Sequence, residues 1–141
     1  MNSFKRIDDE FFIGPQPTKQ DLQAAKQQGI KTVIDFRLPS EIATSNAALI
    51  TSEGLAYVNI PVNKVALSVD QVGDLERALQ DHVGPFLLHC ATGARAALLL
   101  TVSRAKQLGW TSERTFSEAK QLGFDLKTSA EFSDFVVQTL H

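Results

Sequence analysis

The 141-residue sequence has a single cysteine, Cys90, so it can form no disulfide within the chain. Its stability therefore does not depend on an oxidising compartment, and a free thiol is typical of a reducing one. The sequence also lacks an excess of either charge: it has 14 Lys and Arg residues and 16 Asp and Glu residues, for a net charge of −2. Such a balance argues against a nucleic-acid or membrane-binding surface.

Long apolar runs are absent as well. No run approaches the length needed to span a membrane, and the first ten residues lack the apolar core of a signal peptide. A cytoplasmic protein is therefore expected. The three histidines, His82, His89 and His141, show no metal-ligand spacing, and there is no glycine-rich nucleotide fingerprint. We expect neither a metal nor another cofactor.

What the sequence does contain is an alternation of strand and helix patterns along one domain, 1–141, with 43% hydrophobic residues for an ordinary core. Apolar runs predict strands at 11–13, 30–36, 55–60 and 86–88, the first of them at a sheet edge. Helices are predicted in part of 39–52 and after caps at Thr18, Ser68, Thr111 or Ser112, and Thr128 or Ser129. The order predicts an α/β fold with a parallel-sheet core flanked by helices.

The stretch 85–104 organises the chain. A buried strand at 86–88 is followed by a polar turn from His89 to Arg95 and then by an apolar helix. Cys90 thus lies in the loop of a strand-loop-helix unit, where backbone N–H groups can bind an anion. Arg95, in the first turn of the helix, can add a planar cationic fork.

A cysteine in this position is suited to act as a thiolate. The positive end of a helix dipole and a nearby guanidinium both stabilise the anion. Gly93 allows the tight loop a positive φ. A structural cysteine at a strand end is the alternative, but His, Cys, Gly and Arg within seven residues favour a catalytic one.

These residues resemble the loop of the cysteine-based phosphatase superfamily, which reads His-Cys, five residues, Arg, and Ser or Thr. The sequence departs twice: only four residues, Ala91 to Ala94, separate Cys90 from Arg95, and Ala96 follows without a hydroxyl. Four residues is the spacing of a rhodanese-type sulfurtransferase loop. The chain is more fully similar to a bacterial subfamily, the phosphatase-like domain also found beside beta-lactamase-like hydrolases, which has a Cys-x-x-Gly-x-Arg loop.

The resemblance covers most of the chain, from 11 to about 124, and implies a dual-specificity-phosphatase-like fold. It also implies that Cys90 attacks phosphorus to form a phosphocysteine, while Arg95 clamps the phosphate of a phosphorylated substrate whose class the sequence does not define. His89 would support the loop rather than transfer protons. The phosphate-binding amides would be those of the loop residues Ala91, Thr92, Gly93 and Ala94.

The proton donor is the weak point of this interpretation. In the resembling phosphatases, an Asp supplies the proton from the loop after the strand that matches 55–60. Here that loop offers Asn63 and Lys64, and no Asp precedes Asp70. Asp70 is predicted in the first turn of a helix, where a role as a helix-dipole partner is favoured over that of an acid.

A second cation, Arg37, follows the predicted strand 30–36 at the sheet edge that carries ligands in open α/β folds. It could add to an anion-binding field. We favour instead a structural ion pair with a nearby carboxylate, for which Asp35, Glu41 and Glu53 are the candidates.

Two alternatives to a phosphatase remain at the level of sequence. A rhodanese-like sulfurtransferase would carry a persulfide on Cys90, needs no acid for a poor leaving group, and would suit the short loop. An inactive phosphate-binding module would need the amides and Arg95 but not the thiol.

Overall fold

The computed structural model describes residues 3–140 and consists of a five-stranded sheet with helices on both faces. The strands are β1 (Lys5–Arg6), β2 (Phe11–Gly14), β3 (Thr32–Asp35), β4 (Ala56–Asn59) and β5 (Phe86–His89). Their order across the sheet is β1-β2-β5-β3-β4, and only β1 runs antiparallel to its neighbour. The helices are α1 (Lys19–Gln27), α2 (Asn46–Ser52), α3 (Val69–Asp81), α4 (Ala94–Leu108), α5 (Ser112–Gln121) and α6 (Ala130–Leu140).

Strand register brings three strand ends to one edge of the sheet. Central β5 pairs in parallel with β2 and β3, so His89 lies between Gly14 and Asp35. The carboxyl ends of parallel strands therefore meet where the cysteine loop begins, which is the edge that carries ligands in open α/β sheets.

The prediction that 11–13 forms an edge strand is wrong. Strand β2 is interior, because the two-residue strand β1 pairs with it on the outer side, Lys5 opposite Ile13. Both residues of β1 are exposed and charged. A strand this short and polar has no hydrophobic alternation, so its sequence contains no signal for it.

The sheet separates two apolar clusters, because alternate strand residues point to opposite faces. Ile34 and Leu88 face the larger cluster, which α3, α4, α5 and α6 complete, whereas Val33 and Leu87 face a smaller one built with α1 and α2. The predicted α/β architecture, a parallel-sheet core flanked by helices, is confirmed.

Helix α4 is buried on most of its surface and not only along one apolar face. Every residue from Ala96 to Ser103 is buried, because the helix packs between the sheet and the helices α3, α5 and α6. Even the hydroxyl of Thr101 is satisfied inside the helix, donating to the carbonyl oxygen of Ala97 at 2.7 Å. The loop that precedes α4 is thus anchored to the most buried helix of the fold.

The predicted helix caps are largely observed. Thr18 with Asp21 and Ser68 with Gln71 each form a reciprocal capping box. Thr111 is the cap of α5, since its hydroxyl accepts from the amide of Arg114. Across residues 3–140, no helix combines the length and the apolarity required to cross a membrane.

Candidate active site

The cysteine loop occupies the four residues between the end of β5 and the start of α4. Gly93 immediately precedes the helix and has a φ of 101°, a conformation that favours glycine, as the sequence predicted. A Cβ at Gly93 would lie 2.9 Å from the ring of Phe124 and 3.3 Å from the carbonyl carbon of Gly14. Both backbone conformation and space therefore require glycine here.

Cys90 lies at the start of this loop and is 1% exposed. Its Sγ accepts a hydrogen bond from the backbone N–H of Gly93 at 3.0 Å. An amide aimed at the sulfur at the N-terminus of a 15-residue helix is an arrangement that stabilises negative charge. The geometry suits a thiolate nucleophile.

Arg95 is held by two partners on neighbouring segments. Its Nη1 and Nη2 donate to the two carboxylate oxygens of Glu41, each at 2.8 Å, and Nη1 also donates to the carbonyl oxygen of Val62 at 3.1 Å. The pairing with Arg95 lowers the pKa of Glu41 to about 2. Glu41 raises the pKa of Arg95 in turn, and the nearby Cys90 adds to this rise. The guanidinium is therefore fixed beside the sulfur.

Glu41 thus has a different partner from the one that the sequence suggested. It was a candidate partner of Arg37, but its carboxylate accepts from Arg95 and from the backbone N–H of Leu38 at 2.7 Å. Its position follows from a short 3₁₀ turn, Pro39–Glu41, which bends the chain after β3 toward the loop. Residue spacing alone contains no signal for this long-range pairing.

Arg37 forms the structural ion pair that the sequence favoured. Its Nε and Nη2 donate to the two oxygens of Asp35 at 3.0 and 2.9 Å, and its backbone N–H also donates to Asp35. Tyr57 donates its hydroxyl to the same carboxylate at 2.8 Å. Both charged side chains are buried, so this pair supports the sheet edge from inside.

His89 is fully buried behind the loop. Its Nδ1 lies 3.4 Å from the carbonyl oxygen of Cys90 and 3.8 Å from Oδ1 of Asp35. Burial lowers the pKa of His89 to about 4, and the negative charge of Asp35 offsets only part of this lowering. The ring is therefore neutral near pH 7 and adds no positive charge beside the sulfur.

A cavity of about 650 Å³ opens in front of the loop. Its walls are formed by the cysteine loop, by the segments that follow β3 and β4, and by the chain after α5. The lining residues are Leu38, Glu41, Val62, Asn63, Lys64, Thr92, Ala94, Arg95, Gly123, Phe124, Asp125, Leu126, Thr128, Ser129 and Phe132.

The structure brings most of the predicted site residues together. Thr92, Ala94 and Arg95 line the cavity, while Ala91 is an exposed loop residue and Gly93 lies under the ring of Phe124. Asp70 is the exception. It is exposed in the first turn of α3, its N–H donates to Ser68, and it does not line the cavity. That placement matches a helix-terminus role rather than that of an acid.

Two parts of the site were missed by sequence reasoning. One is Glu41, and the other is the wall formed by 123–129 after α5. Gly123 marked the end of a helix, but nothing local indicated that the chain then returns to the cysteine loop. In the part of the chain from 3 to 140, no three His, Cys, Asp or Glu side chains are grouped to hold a metal ion.

A mostly parallel sheet with a cysteine loop between its central strand and a buried helix, and with an arginine beside the sulfur, defines a phosphatase-like domain of the cysteine-based class. A family model described as the phosphatase-like domain of beta-lactamase hydrolase-like protein matches residues 3–107. The chain belongs to this family, which confirms the resemblance seen in the loop.

Individual relatives agree with this membership. A beta-lactamase hydrolase-like protein of Xylella fastidiosa is 24% identical over 125 residues, covering 85% of this chain and 29% of the relative. The chain therefore spans about three tenths of the length of the curated relatives it matches.

Solved structures share the fold. A phosphatase-like protein of Neisseria meningitidis superposes with a TM-score of 0.80 at 25% identity, covering 99% of both chains. TpbA of Pseudomonas aeruginosa, whose structure was determined in complex with phosphotyrosine, has a TM-score of 0.75 at 18% identity and covers 98% of this chain and 90% of its own. The predicted phosphatase-like fold is confirmed.

Proposed function

We propose that the chain is a cysteine-dependent phosphatase that hydrolyses phosphomonoesters. The observation that carries the proposal is the placement of the Cys90 sulfur, which accepts the N–H of Gly93, next to the fixed guanidinium of Arg95. The sulfur thus lies beside a guanidinium that lines the cavity, and a nucleophile next to an anion clamp is what attack on a phosphate ester requires.

In this mechanism the Cys90 thiolate attacks phosphorus and forms a phosphocysteine, which water then hydrolyses. The backbone amides of the loop and the Arg95 guanidinium stabilise the charge that develops on the equatorial oxygens. Glu41 acts as a positioning residue, because it holds both terminal nitrogens of Arg95 in one plane. The Nε edge of the guanidinium then remains for the phosphate.

The cavity walls favour an aromatic leaving group. Phe124 and Phe132 line the cavity together with Leu38 and Leu126, so apolar side chains form part of its wall. An aryl phosphate would bury its ring against these side chains while the phosphate reaches the loop. The phosphotyrosine bound by TpbA, which shares the fold, supports this substrate class.

A rhodanese-like sulfurtransferase is the second candidate. The loop after β4 brings Asn63 and Lys64 to the cavity, where the resembling phosphatases have an acidic residue. Transfer of a sulfur atom through a persulfide on Cys90 requires a thiolate and amide donors but no acid. The short loop, which encloses less space, also suits this chemistry.

The deciding experiment is hydrolysis of p-nitrophenyl phosphate by the wild type and by Cys90→Ser, from about pH 5 to about pH 7.5. Turnover that disappears in Cys90→Ser, with inorganic phosphate still bound, supports the phosphatase. Cys90→Ser is a near-isosteric change, so retained phosphate binding also verifies that the loop is intact.

Two other outcomes would contradict the proposal. Sulfur transfer from thiosulfate to cyanide without phosphate turnover would assign the persulfide chemistry. Absence of both activities, with equal phosphate binding by the two proteins, would leave an inactive phosphate-binding module.

A further inference from the structure

We propose that Asp125 is the residue that transfers protons in this reaction, donating to the leaving group and then accepting from water. The inference rests on the proposed phosphatase function. Asp125 belongs to the part of the cavity lining that follows α5, not to the loop after β4 in which the resembling phosphatases have their acid.

The end of α5 directs the chain to the cysteine loop. The N–H of Gly123 donates to the carbonyl oxygen of Lys120 at 2.9 Å, and that of Phe124 donates to Ala119 at 3.0 Å. Together with a φ of 95° at Gly123, these bonds form a Schellman motif. The motif turns the chain so that the ring of Phe124 covers Gly93.

This contact joins the segment that contains Asp125 to the cysteine loop. The backbone N–H of Gly93 donates to Cys90, and the Phe124 ring lies against that same glycine. Asp125 is the next residue and lines the cavity together with Arg95.

One hydrogen bond holds the side chain of Asp125, and another holds its backbone. Its Oδ1 accepts the backbone N–H of Lys127 at 3.1 Å, and its carbonyl oxygen accepts the hydroxyl of Thr128 at 2.8 Å. These bonds begin the short 3₁₀ turn Leu126–Thr128. A carboxylate fixed by its own turn is preorganised, which proton transfer in a transition state requires.

The other candidates for proton donor are weaker. Glu41 is the other carboxylate among the described residues of the cavity lining, but both its oxygens accept from Arg95 and its pKa is about 2. Both carboxylate oxygens of Glu41 are therefore occupied, and its role is to position Arg95. The side-chain nitrogen of Lys64 lies over the ring of Phe132, 5.9 Å from the centroid, and this contact occupies it.

The proposed step balances as follows. The Cys90 sulfur forms a bond to phosphorus while the bond from phosphorus to the leaving oxygen breaks, and that oxygen takes the proton of the Asp125 carboxylic acid. Water then attacks the phosphocysteine and gives a proton to the Asp125 carboxylate. The sulfur leaves as a thiolate, and inorganic phosphate is released.

The test compares two leaving groups, because a better leaving group needs less protonation. Asp125→Asn keeps an oxygen for the Lys127 cap but removes the transferable proton. We expect kcat/KM to fall about 10²-fold or more with phenyl phosphate and much less with p-nitrophenyl phosphate. Asp70→Asn is the matched control. Asp70 does not line the cavity, so we expect this substitution to leave both rates unchanged.

The possible results separate the two proposals. An equal fall with both substrates, or no change, in an otherwise active enzyme overturns the role of Asp125 alone. A selective fall in Lys64→Met but not in Asp125→Asn also overturns it and assigns Lys64. A wild type without any phosphate turnover overturns the proposed function itself. If Asp125→Asn does not fold, Asp125→Ser, whose hydroxyl can also cap the turn, replaces it in the same comparison.

Discussion

Two arginine–carboxylate pairs, Asp35–Arg37 and Glu41–Arg95, show how one chemistry serves two purposes. Each arginine donates two hydrogen bonds to the two oxygens of its carboxylate, at distances of 2.8 to 3.0 Å. Asp35 is the last residue of β3, and Glu41 lies in the 3₁₀ turn that follows this strand. Charge and hydrogen-bond geometry therefore do not distinguish the two pairs.

Exposure distinguishes them. The side chains of Arg37 and Asp35 are 2% and 0% exposed, whereas those of Arg95 and Glu41 are 14% and 32% exposed and line the cavity. The buried Arg37 has no guanidinium edge exposed to an anion, so its pair with Asp35 supports the fold. A pair at a cavity wall keeps a guanidinium edge available to an anion, so it can position and bind at once.

The largest expected effect is on the stability of the buried pair. Arg37→Met should lower the free energy of unfolding by about 3–5 kcal/mol, because it leaves Asp35 charged and buried without its partner. Urea unfolding near pH 7 measures the change. Arg77→Met is the control, since Arg77 belongs to an exposed pair with Asp74 and should change stability by less than about 1 kcal/mol. Equal losses in the two variants would contradict the distinction.

For the Glu41–Arg95 pair, we expect a substitution to lower activity rather than stability. Arg95→Lys should lower kcat/KM for p-nitrophenyl phosphate by about 10²–10³-fold, because an ammonium cannot reproduce the planar fork that contacts both Glu41 and phosphate. The unfolding midpoint should change little. Arg104→Lys, in a pair with Asp8 outside the cavity lining, should keep full activity. Unchanged turnover in Arg95→Lys would show that Arg95 does not bind the phosphate.

A smaller effect is the pH dependence of the free energy of unfolding that His89, beside the buried pair, should produce. Burial holds the pKa of His89 at about 4, below its ordinary value of 6.5, so the unfolded chain binds the proton more tightly. This stability is fully present above about pH 6.5 and is lost as the pH falls toward 4. The loss between pH 7 and pH 4.5 should be about 2 kcal/mol.

Urea unfolding at these two pH values, for the wild type and for His89→Gln, measures that contribution. His89→Gln should remove it, whereas His82→Gln, at the partly buried C-cap of α3, should retain it. The lowered pKa of Glu41 acts mainly below pH 4.5, and its contribution is common to the wild type and His89→Gln, so the comparison of the two removes it. An identical pH dependence in wild type and His89→Gln would refute the assignment.

The smallest expected effect is that of Glu41→Gln. It should lower kcat/KM by about 10-fold, because Arg95 keeps its charge but loses the charged partner that fixes its plane. Asp9→Asn, which removes a carboxylate from a pair at the surface, is the control. An increase in kcat/KM would mean that Glu41 competes with phosphate for Arg95 rather than positioning it.

The strand-loop-helix unit around Cys90 could be predicted because its signals are local. An apolar run predicts β5, and a glycine with positive φ precedes a helix whose first turn contains Arg95. Capping boxes at Thr18 and Ser68 were equally visible, since both partners lie within four residues of one another. Side chains this close in sequence meet whatever the rest of the chain does.

The partners of the two arginines show the limit of such reasoning. Arg37 lies two residues from Asp35, so their contact follows from the local chain. Glu41 and Arg95 are 54 residues apart, and three carboxylates were equally available to Arg37 on sequence grounds. Which of them approaches which arginine depends on how the 3₁₀ turn after β3 lies against the loop, and spacing does not encode that.

By itself, then, the sequence determined the α/β alternation, the helix caps and the cysteine loop with its arginine, because each depends on residues a few positions apart. Only the tertiary structure decided that β2 is interior, that Glu41 holds Arg95, and that Asp125 faces the cavity while Asp70 does not. Those features depend on segments far apart in the chain, and burial in a common core brings them together.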